Sequence, residues 1–491
     1  MMTCFLPGLR HILGPMGSRA LSPLKTSSQA TLAQVEERFG PCIPQGLLQQ
    51  NGHKEFSRDR IDTLARTFWC WLWQILQGNT SCREVVRQVQ ALYALLGAVP
   101  VDEKTAGYCL ARGKLTLSWL QKIFASSVQC SQPLAQPGSL LQSRPLRVVD
   151  GSGVRLPDTP ENRAAYPPAN QKPGSGFPYV RLTALFCLRT GAVLCHALGS
   201  LRRHETQSVP SFGCALKTGD ILIADRAYGH FVFAALVQSW GVDLIARLST
   251  LGHHVDYRRA LQSLGHNDAL FTWQKGQPSK LLSAQQWAAL PETLTVRIIR
   301  HRIIQKGFGS KELTVMTTLI DPEKYPKEEI LEAHLRRWRM EMCLDDLKTT
   351  LGMEMLSCRS PQMVQKELLM FLIAHNFLRW LMLQAADQGA VPMERISFKG
   401  TLDAFRQWSQ ALAHLGRSPR TRKKRALLWQ QLLQVLAADI IVERPNRKEP
   451  RAVKRWTKYP KLNCSRHTYI ERWSRNKRRR VSLAKKRARL I

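Results

Sequence analysis

A series of short apolar segments between residues 146 and 248 constrains the fold of this chain more than any other sequence feature. The segments are rich in aliphatic residues, and several end at an acid or at a glycine-containing turn. The predicted strands are Leu146–Asp150, Arg181–Leu188 and Ala192–Leu198 as a hairpin, Asp220–Asp225, and Val242–Leu248. A helix is predicted between the last two strands, at Gly229–Trp240. Because strands here alternate with helices, we predict an α/β fold.

The regions on either side of these segments have a different character. Leu32–Val128 has apolar residues at helical spacing and predicts a helical amino-terminal domain, and the linker Ser131–Ser143 follows it. Predicted strands without a long helix between them, from Ala269 to Ile320, indicate a β-rich insertion, and long helices resume at Lys327. The predicted division of the chain is 1–140, 141–250, 251–322, 323–390 and 391–491.

The net charge points to the kind of partner. The chain has 72 Lys and Arg against 36 Asp and Glu, a formal charge of +36. Such an excess favours a polyanion, nucleic acid first and an anionic membrane surface second. The last 51 residues, Ile441–Ile491, hold 19 Lys or Arg and 3 Glu, a net of +16. We expect this basic carboxyl-terminal tail to be extended or to fold only on its partner.

Membrane spans and zinc sites are not expected. The longest apolar run, Glu367–Leu383, is interrupted by His375, Asn376 and Arg379, so it predicts a buried core helix and no membrane partner. The twelve cysteines are dispersed, with no Cys-x-x-Cys pair and no histidines at zinc spacing. They predict reduced, mostly buried thiols in a cytoplasmic protein.

Two acids occupy positions where α/β sheets bind ligands. Asp150 and Asp225 each end a predicted apolar strand, Asp150 before a predicted turn at Gly151-Ser152-Gly153 and Asp225 before Arg226. Carboxylates placed in this way can hold hard cations. The alternative is that each acid is a turn or cap residue, the commoner role of Asp after a strand.

A third acid lies on a predicted helix with cationic neighbours. Within a helix spanning 327–351, His334, Arg337, Glu341 and Lys348 are separated by three, four and seven residues. At 100° per residue they fall within an arc of roughly 60° on one face. The alternative is an ordinary solvated face of salt bridges.

The residues around these acids resemble the signature of DDE transposases of the insertion-sequence-four family. That family carries Tyr, Arg, Glu and Lys at this spacing, and Arg337, Glu341 and Lys348 match, with His334 at the Tyr position. Its second acid is followed by Arg and then by an aromatic residue and Gly, as in the segment 225–229, and its first acid lies before a Gly or Ser turn.

The resemblance implies an RNase H-like catalytic core formed by 141–250 and 323–390, interrupted by the β-rich insertion. It implies that Asp150, Asp225 and Glu341 bind two Mg²⁺ ions, for which Mn²⁺ can substitute, and catalyse DNA cleavage and strand transfer through hairpin ends. The residues that would contact DNA are Arg226, His334, Arg337, Trp338 and Lys348. Trp338 is a candidate for stacking an extruded base, with a place in the core as the alternative. The implied partners are terminal inverted repeats, target DNA and a second copy in a synaptic homodimer, associated with the bacterial nucleoid.

The presence of His334 where the family pattern has Tyr leads to a separate expectation. Imidazole can donate a hydrogen bond as the Tyr hydroxyl does, so activity is expected to survive an exchange of His334 for Tyr. Because imidazole can also gain a charge near physiological pH, the exchange is expected to remove one ionisation from the pH profile.

Two further functions remain open from the residues alone. One is a DNA-binding protein derived from a transposase that has lost catalysis, which the intact acids disfavour. The other is a nuclease that does not join strands, which would use the same three acids.

Overall fold

The computed structural model of the chain describes residues 39–48, 62–95, 101–131, 138–168, 176–202, 205–248, 255–279, 282–302, 312–414 and 419–442, together with 471 and 475. The chain divides into two compact units, Met1–Ile304 with Ser310–Glu443, and Gln305–Gly309 with Arg444–Ile491. In the second unit, Arg475 Nη2 and Glu471 Oε2 form an ion pair of 3.4 Å. Most of the predicted basic tail lies outside the described residues.

A nine-stranded sheet, in the order β3-β2-β1-β4-β5-β9-β8-β7-β6, forms the centre of the first unit. The strands are β1 Leu146–Arg155, β2 Tyr179–Cys187, β3 Val193–Ser200, β4 Ile221–Ala224, β5 Asp243–Arg247, β6 Gln262–Gly265, β7 Asp268–Gln274, β8 Thr293–Arg302 and β9 Glu312–Thr317. Strands β1, β4 and β5 are parallel, and the other pairs are antiparallel. The predicted α/β fold is confirmed, and the strands of the predicted insertion continue the same sheet through β9.

Helices cover the sheet and form the amino-terminal region. They are α1 Gln45–Leu48, α2 Leu64–Leu76, α3 Cys82–Leu95, α4 Ala106–Lys114, α5 Leu117–Ser131, α6 Pro160–Ala165, α7 Phe231–Ser239, α8 Ala284–Ala288, α9 Lys327–Arg336, α10 Trp338–Asp345, α11 Pro361–Gly389, α12 Phe398–His414 and α13 Arg422–Ala438. Local sequence explains several boundaries. The Thr63 hydroxyl caps α2 by accepting from Arg66 N, and Gly191, at φ +65°, makes the turn between β2 and β3.

The two faces of the sheet bury different side chains. Val148, Ile223 and Ile245 pack in one core with the long helices, whereas Val149 and Leu222 pack in a second core with α7. The separation follows from the alternation of side chains along a strand. Burial of apolar side chains on both faces, worth roughly 25 cal/mol per Å², stabilises the sheet between two helical layers.

The long helix α11 is the core helix that the sequence predicts. Among the described residues it is the helix long and apolar enough to cross a membrane, and 94% of that apolar stretch is buried. Two of the polar residues that interrupt it bind the β2–β3 hairpin. His375 Nε2 lies 3.0 Å from Gly191 O, and Asn376 bonds both N and O of Val193, at 2.9 and 3.0 Å. These bonds satisfy polar groups that would otherwise be buried at a cost.

Three local expectations are wrong. Gly151-Ser152-Gly153 is not a turn, because β1 continues to Arg155 and pairs with β2 throughout. The helix expected over 327–351 is interrupted at Arg337 and ends in a π-helical segment, Asp346–Thr350. The cysteines are neither all reduced nor mostly buried, since Cys42 and Cys130 form a disulfide and, of the described free cysteines, only two are buried.

Protonation of His375 is expected to destabilise the fold in acid. Burial is the main cause that lowers the pKa of His375 from 6.5 to about 3, so below pH 6.5 the unfolded chain binds a proton that the folded chain does not. The free energy of unfolding therefore falls by about 1.4 kcal/mol for each pH unit below this value. A His375→Gln variant should therefore have a free energy of unfolding that falls less steeply between pH 6.5 and 4.5, measured by urea denaturation.

The exposed His266 provides the matched control, because its side chain is solvated in the folded and unfolded states alike. His266→Gln should leave the wild-type pH dependence unchanged. Equal slopes for wild type and His375→Gln would contradict the assignment.

Candidate active site

The pairing of β1 with β4 brings two of the predicted acids together. These strands run parallel, and Val148 is aligned with Ile223 at the end of their shared register. Two residues further along the chain lie Asp150, still within β1, and Asp225, directly after the end of β4. Aligned residues of neighbouring strands are about 4.8 Å apart, so continuation of the register sets the two acids side by side.

The alternation of side chains decides which face the acids share. Residues two positions apart on a strand face the same side of the sheet, so Asp150 faces the same side as Val148, and Asp225 the same side as Ile223. Both of these apolar residues belong to the core that also contains Ile330 of helix α9. Asp150 and Asp225 are therefore directed to the face of the sheet that helices α9 and α10 cover.

The loop after Asp225 is held close to strand β5. A Cβ atom on Gly229 would lie 2.4 Å from Arg247 O, so only glycine fits there. Tyr228 is buried at 1% exposure, and Arg226 is exposed. The Asp-Arg-Ala-Tyr-Gly sequence thus fixes the backbone beside Asp225 and leaves one cation of the loop facing solvent.

Arg337 links the first acid to the third. Its Nη1 lies 3.4 Å from Asp150 Oδ2, and its Nη2 donates to Glu341 Oε1 at 3.0 Å. The Arg337 side chain is 12% exposed, whereas that of Glu341 is 41% exposed. A largely buried guanidinium therefore neutralises two carboxylates that come from different parts of the chain.

His334 lies on the same helical layer and is uncharged at neutral pH. It is 7% exposed, and neither ring nitrogen has a hydrogen-bond partner among the described residues. Burial, reinforced by Arg337 and Arg247 and opposed by Asp225, lowers the pKa of His334 to about 4. In the folded chain the ionisation of His334 thus lies well below physiological pH, and its contribution to the pH profile of activity stays a prediction.

The chain is similar to known transposases. Residues 141–377 match the family model described as "Transposase DDE domain". A curated relative, "Transposase InsG for insertion sequence element IS4" of Escherichia coli (strain K12), is 24% identical over 449 residues, which cover 87% of this chain and 93% of the relative. A solved structure of the piggyBac transposase synaptic complex with hairpin DNA has 10% identity and a TM-score of 0.40, over 85% of this chain and 86% of that one.

Residues 141–377 thus match a transposase DDE domain, and the chain is similar to an insertion-sequence-four transposase over most of its length. The resemblance found in the sequence is thereby confirmed. It rested on the segment 225–229 and on the spacing of Arg337, Glu341 and Lys348, all of which lie within the matched region.

Two further residues predicted to contact DNA, Trp338 and Lys348, are exposed and half-buried, respectively. Trp338 is 51% exposed, so its alternative role as a core residue is wrong. Lys348 is half-buried within the π-helical segment, whose wider turn displaces it from the ideal α-helical stripe. Within the described part of the chain no ion pair involves its ammonium group.

The three acids do not form a preassembled metal cage. Among the described residues, no group of three or more His, Cys, Asp or Glu side chains is close enough to hold a metal ion. The guanidinium of Arg337 lies between Asp150 and Glu341, where it supplies a positive charge. The donor chemistry nevertheless fits a hard divalent cation, because all three candidate ligands are carboxylates.

Two features of the site were missed in the sequence. Arg247 ends the parallel strand β5 next to His334, and its only signal was its place at the end of a predicted strand. Arg379 of helix α11 donates to Asp346 Oδ2 at 2.7 Å. Asp346 follows Glu341 by five residues. Burial raises the pKa of Asp346 to about 6. The contact between Arg379 and Asp346 could not be predicted from the sequence, because the two residues are 33 positions apart.

The origin of the low pKa of His334 can be tested by removing a neighbouring charge. Arg337→Gln should raise the pKa of His334, because the cation that most opposes the imidazolium is lost. Hydrogen–deuterium exchange at the imidazole C2 position, followed by mass spectrometry against pH, reports this pKa for the wild type and the variant.

Arg336 supplies the matched control, since it is the preceding arginine and pairs with Glu332. Arg336→Gln should leave the wild-type midpoint near pH 4. A wild-type midpoint near 6.5, or one that Arg337→Gln does not move, would refute the electrostatic explanation.

Proposed function

We propose that this protein is the transposase of an insertion sequence, which cuts DNA at terminal inverted repeats and joins the freed end to target DNA. The observation that carries the proposal is the parallel register of β1 and β4, which ends just before Asp150 and Asp225, together with Arg337, which binds both Asp150 on the sheet and Glu341 on the helix. A protein that only bound DNA would have no need of three acids gathered in this way. We propose the bacterial nucleoid as its location.

The first part of the proposal concerns the fold of the catalytic core. We infer an RNase H-like core, because an antiparallel β3-β2-β1 meander is followed by the parallel strands β4 and β5 with helices on both faces. We also propose that 1–140 serves as a helical DNA-binding domain and that two copies act together as a homodimer on paired element ends.

The second part concerns the ions. Asp150, Asp225 and Glu341 would hold two Mg²⁺ ions, or Mn²⁺ in their place. When bound, such ions activate the attacking oxygen and stabilise the leaving oxygen of a phosphodiester. The protein's own contribution is to balance the negative charge of the carboxylates around these ions. Arg337 orients the carboxylates of Asp150 and Glu341, and its positive charge can also attract a phosphate at the same face.

The remaining residues would hold and shape the DNA. Lys348 and Arg226 offer cations to the backbone phosphates, and neutral His334 can donate one hydrogen bond from a ring nitrogen. Exposed Trp338 offers a face on which a base leaving the duplex can stack. These roles support excision through hairpin ends, because a hairpin requires a sharply distorted strand next to the cleavage site.

Replacing any one acid is expected to abolish cleavage but not DNA binding. Asp150→Asn, Asp225→Asn and Glu341→Gln each remove one ionic ligand and preserve the shape of the side chain. Loss of several kcal/mol of charge stabilisation should slow cleavage at least about 100-fold. The measurement is strand cleavage with Mg²⁺ on DNA carrying the flanking inverted repeats, together with a gel-shift assay of binding.

Glu332→Gln is the control, because Glu332 lies on helix α9 and is half-exposed in a pair with Arg336. It should retain cleavage. Retained cleavage in one of the three variants would remove that acid from the site, and a wild type that binds the repeats without cutting them would favour the inactive DNA-binding alternative.

Trp338→Ala is expected to impair hairpin formation more than the first nick. Stacking of one base on an aromatic ring is worth about 1–3 kcal/mol, so the loss should be about 5- to 150-fold. Trp338→Phe should recover part of the rate because it retains an aromatic face. Leu335→Ala, at another exposed apolar residue of the preceding helix, should have no effect. Equal effects on nicking and hairpin formation would argue against stacking.

Truncation of 441–491 is expected to weaken binding to all DNA sequences about equally. The segment carries a net charge of +16, and its binding to phosphates releases counterions. The slope of log affinity against log salt should fall by about 0.9 for each phosphate that the truncated chain no longer neutralises. A loss of discrimination between repeat and random DNA, with general affinity unchanged, would instead mean that the segment reads bases.

A further inference from the structure

Three cysteines and one arginine form a cluster that does not include the acids of the candidate active site. The cluster consists of Cys82, Cys109, Cys358 and Arg112, and is called here the thiol cluster. Arg112 Nη1 lies 3.1 Å from Cys82 Sγ, and Nη2 lies 3.3 Å from Cys358 Sγ. The guanidinium is 4% exposed and stacks on the ring of Trp71, with 4.0 Å to its centroid. A buried cation is thus aimed at two sulfur atoms.

Further groups stabilise negative charge on Cys82. The Cys109 thiol is a neighbour that favours the thiolate of Cys82, and Gln74 Nε2 lies 3.8 Å from Cys82 Sγ. The Gln74 amide is oriented by Tyr108, whose hydroxyl donates to its Oε1 at 3.0 Å. Cys82 is also the first residue of helix α3, where free backbone N–H groups favour an anion.

The titration of the cluster is consistent with these contacts. The hydrogen bond from Cys109, together with Arg112, lowers the pKa of Cys82 to about 6, against the cost of burial. The same hydrogen bond raises the pKa of Cys109, which keeps its proton. Burial raises the pKa of Cys358, and the nearby Glu367 carboxylate raises it further. Cys82 is the only described cysteine whose pKa is lowered.

We propose that Cys82 and Cys109 form a reversible oxidation site, at which a hydroperoxide oxidises the Cys82 sulfur and Cys109 closes a disulfide with it. The two residues are suited to these roles. Cys109 is exposed and Cys82 is half-buried, so a small peroxide can reach them. The two thiols are neighbours, as their effects on each other's pKa indicate.

The reaction balances in two steps. In the first, the thiolate of Cys82 attacks one oxygen of hydrogen peroxide, the S–O bond forms, the O–O bond breaks, and the other oxygen leaves as water after taking up a proton. In the second, the sulfur of Cys109 attacks the sulfenic acid of Cys82. An S–S bond forms, the S–O bond breaks, and a second water carries away the oxygen and the Cys109 proton. A dithiol reductant restores both thiols.

The oxidation changes the charge facing Arg112. The thiolate of Cys82 is consumed, so the guanidinium loses an anionic partner and keeps its contacts with Cys358 and with the rings of Trp71 and Tyr108. Cys358 N donates to Glu367 Oε2 at 2.8 Å, in the segment that connects the Glu341 helix to helix α11. The thiol cluster therefore connects the helical amino-terminal region with the segment that follows the Glu341 helix.

Peptide mapping after treatment with hydrogen peroxide tests the proposal on the full chain. The reduced protein is exposed to stoichiometric peroxide at pH 7, alkylated, and digested without reductant, so that a Cys82–Cys109 peptide is resolved from the Cys42–Cys130 pair. We expect the Cys82–Cys109 disulfide to form at least about tenfold faster than oxidation of the exposed Cys214, because the thiolate is the reactive form.

Single variants separate the two roles. In Cys109→Ser, the sulfenic acid of Cys82 should accumulate and be trapped by dimedone. In Cys82→Ser, Cys109 should remain a thiol under the same treatment, and Cys214→Ser should form the disulfide as the wild type does. Oxidation of Cys82 and Cys214 at equal rates, or a crosslink of Cys82 to Cys358 in place of Cys109, would overturn the proposal.

Discussion

The parallel pairing of β1 with β4 is the constraint on which the rest of the site depends. These strands lie far apart in the sequence, and only their shared register sets Asp150 level with Asp225. A shift of one residue would turn every side chain of a strand to the opposite face. Such a shift would move Val148 into the opposite core and turn Asp150 away from the helix that carries Glu341, so the apolar packing and the acids are fixed by the same register.

Charge around the acids is balanced mainly by arginines that the surrounding structure holds in place. Arg337 contacts Asp150 and Glu341, and Arg379 anchors Asp346 just beyond Glu341. Because each guanidinium makes directed hydrogen bonds, it orients the carboxylate as well as neutralising it. The proposed chemistry needs such orientation, since phosphodiester cleavage depends on ions held at defined positions.

Polar residues inside the apolar layers serve the packing. His375 and Asn376 interrupt the longest apolar run of the sequence, and in the folded chain they bind the backbone of the β2–β3 hairpin. Arg112 is similarly buried, between sulfur atoms and the Trp71 ring. In each case a group that is costly to bury gains a partner from a distant segment, which ties the helical layer to the sheet or to the amino-terminal helices.

Features that depend on neighbours in the sequence could be predicted from it. The strands, the β2–β3 turn, the core helix and the Arg337–Glu341 spacing follow from local periodicity and turn chemistry. The tertiary structure alone decided the alignment of Asp150 with Asp225, the continuation of β1 past Gly151, the low pKa of His334 and the approach of Cys82 to Arg112. Each of these is set by register, burial or contact between segments distant in the chain, and such quantities have no counterpart in the local sequence pattern.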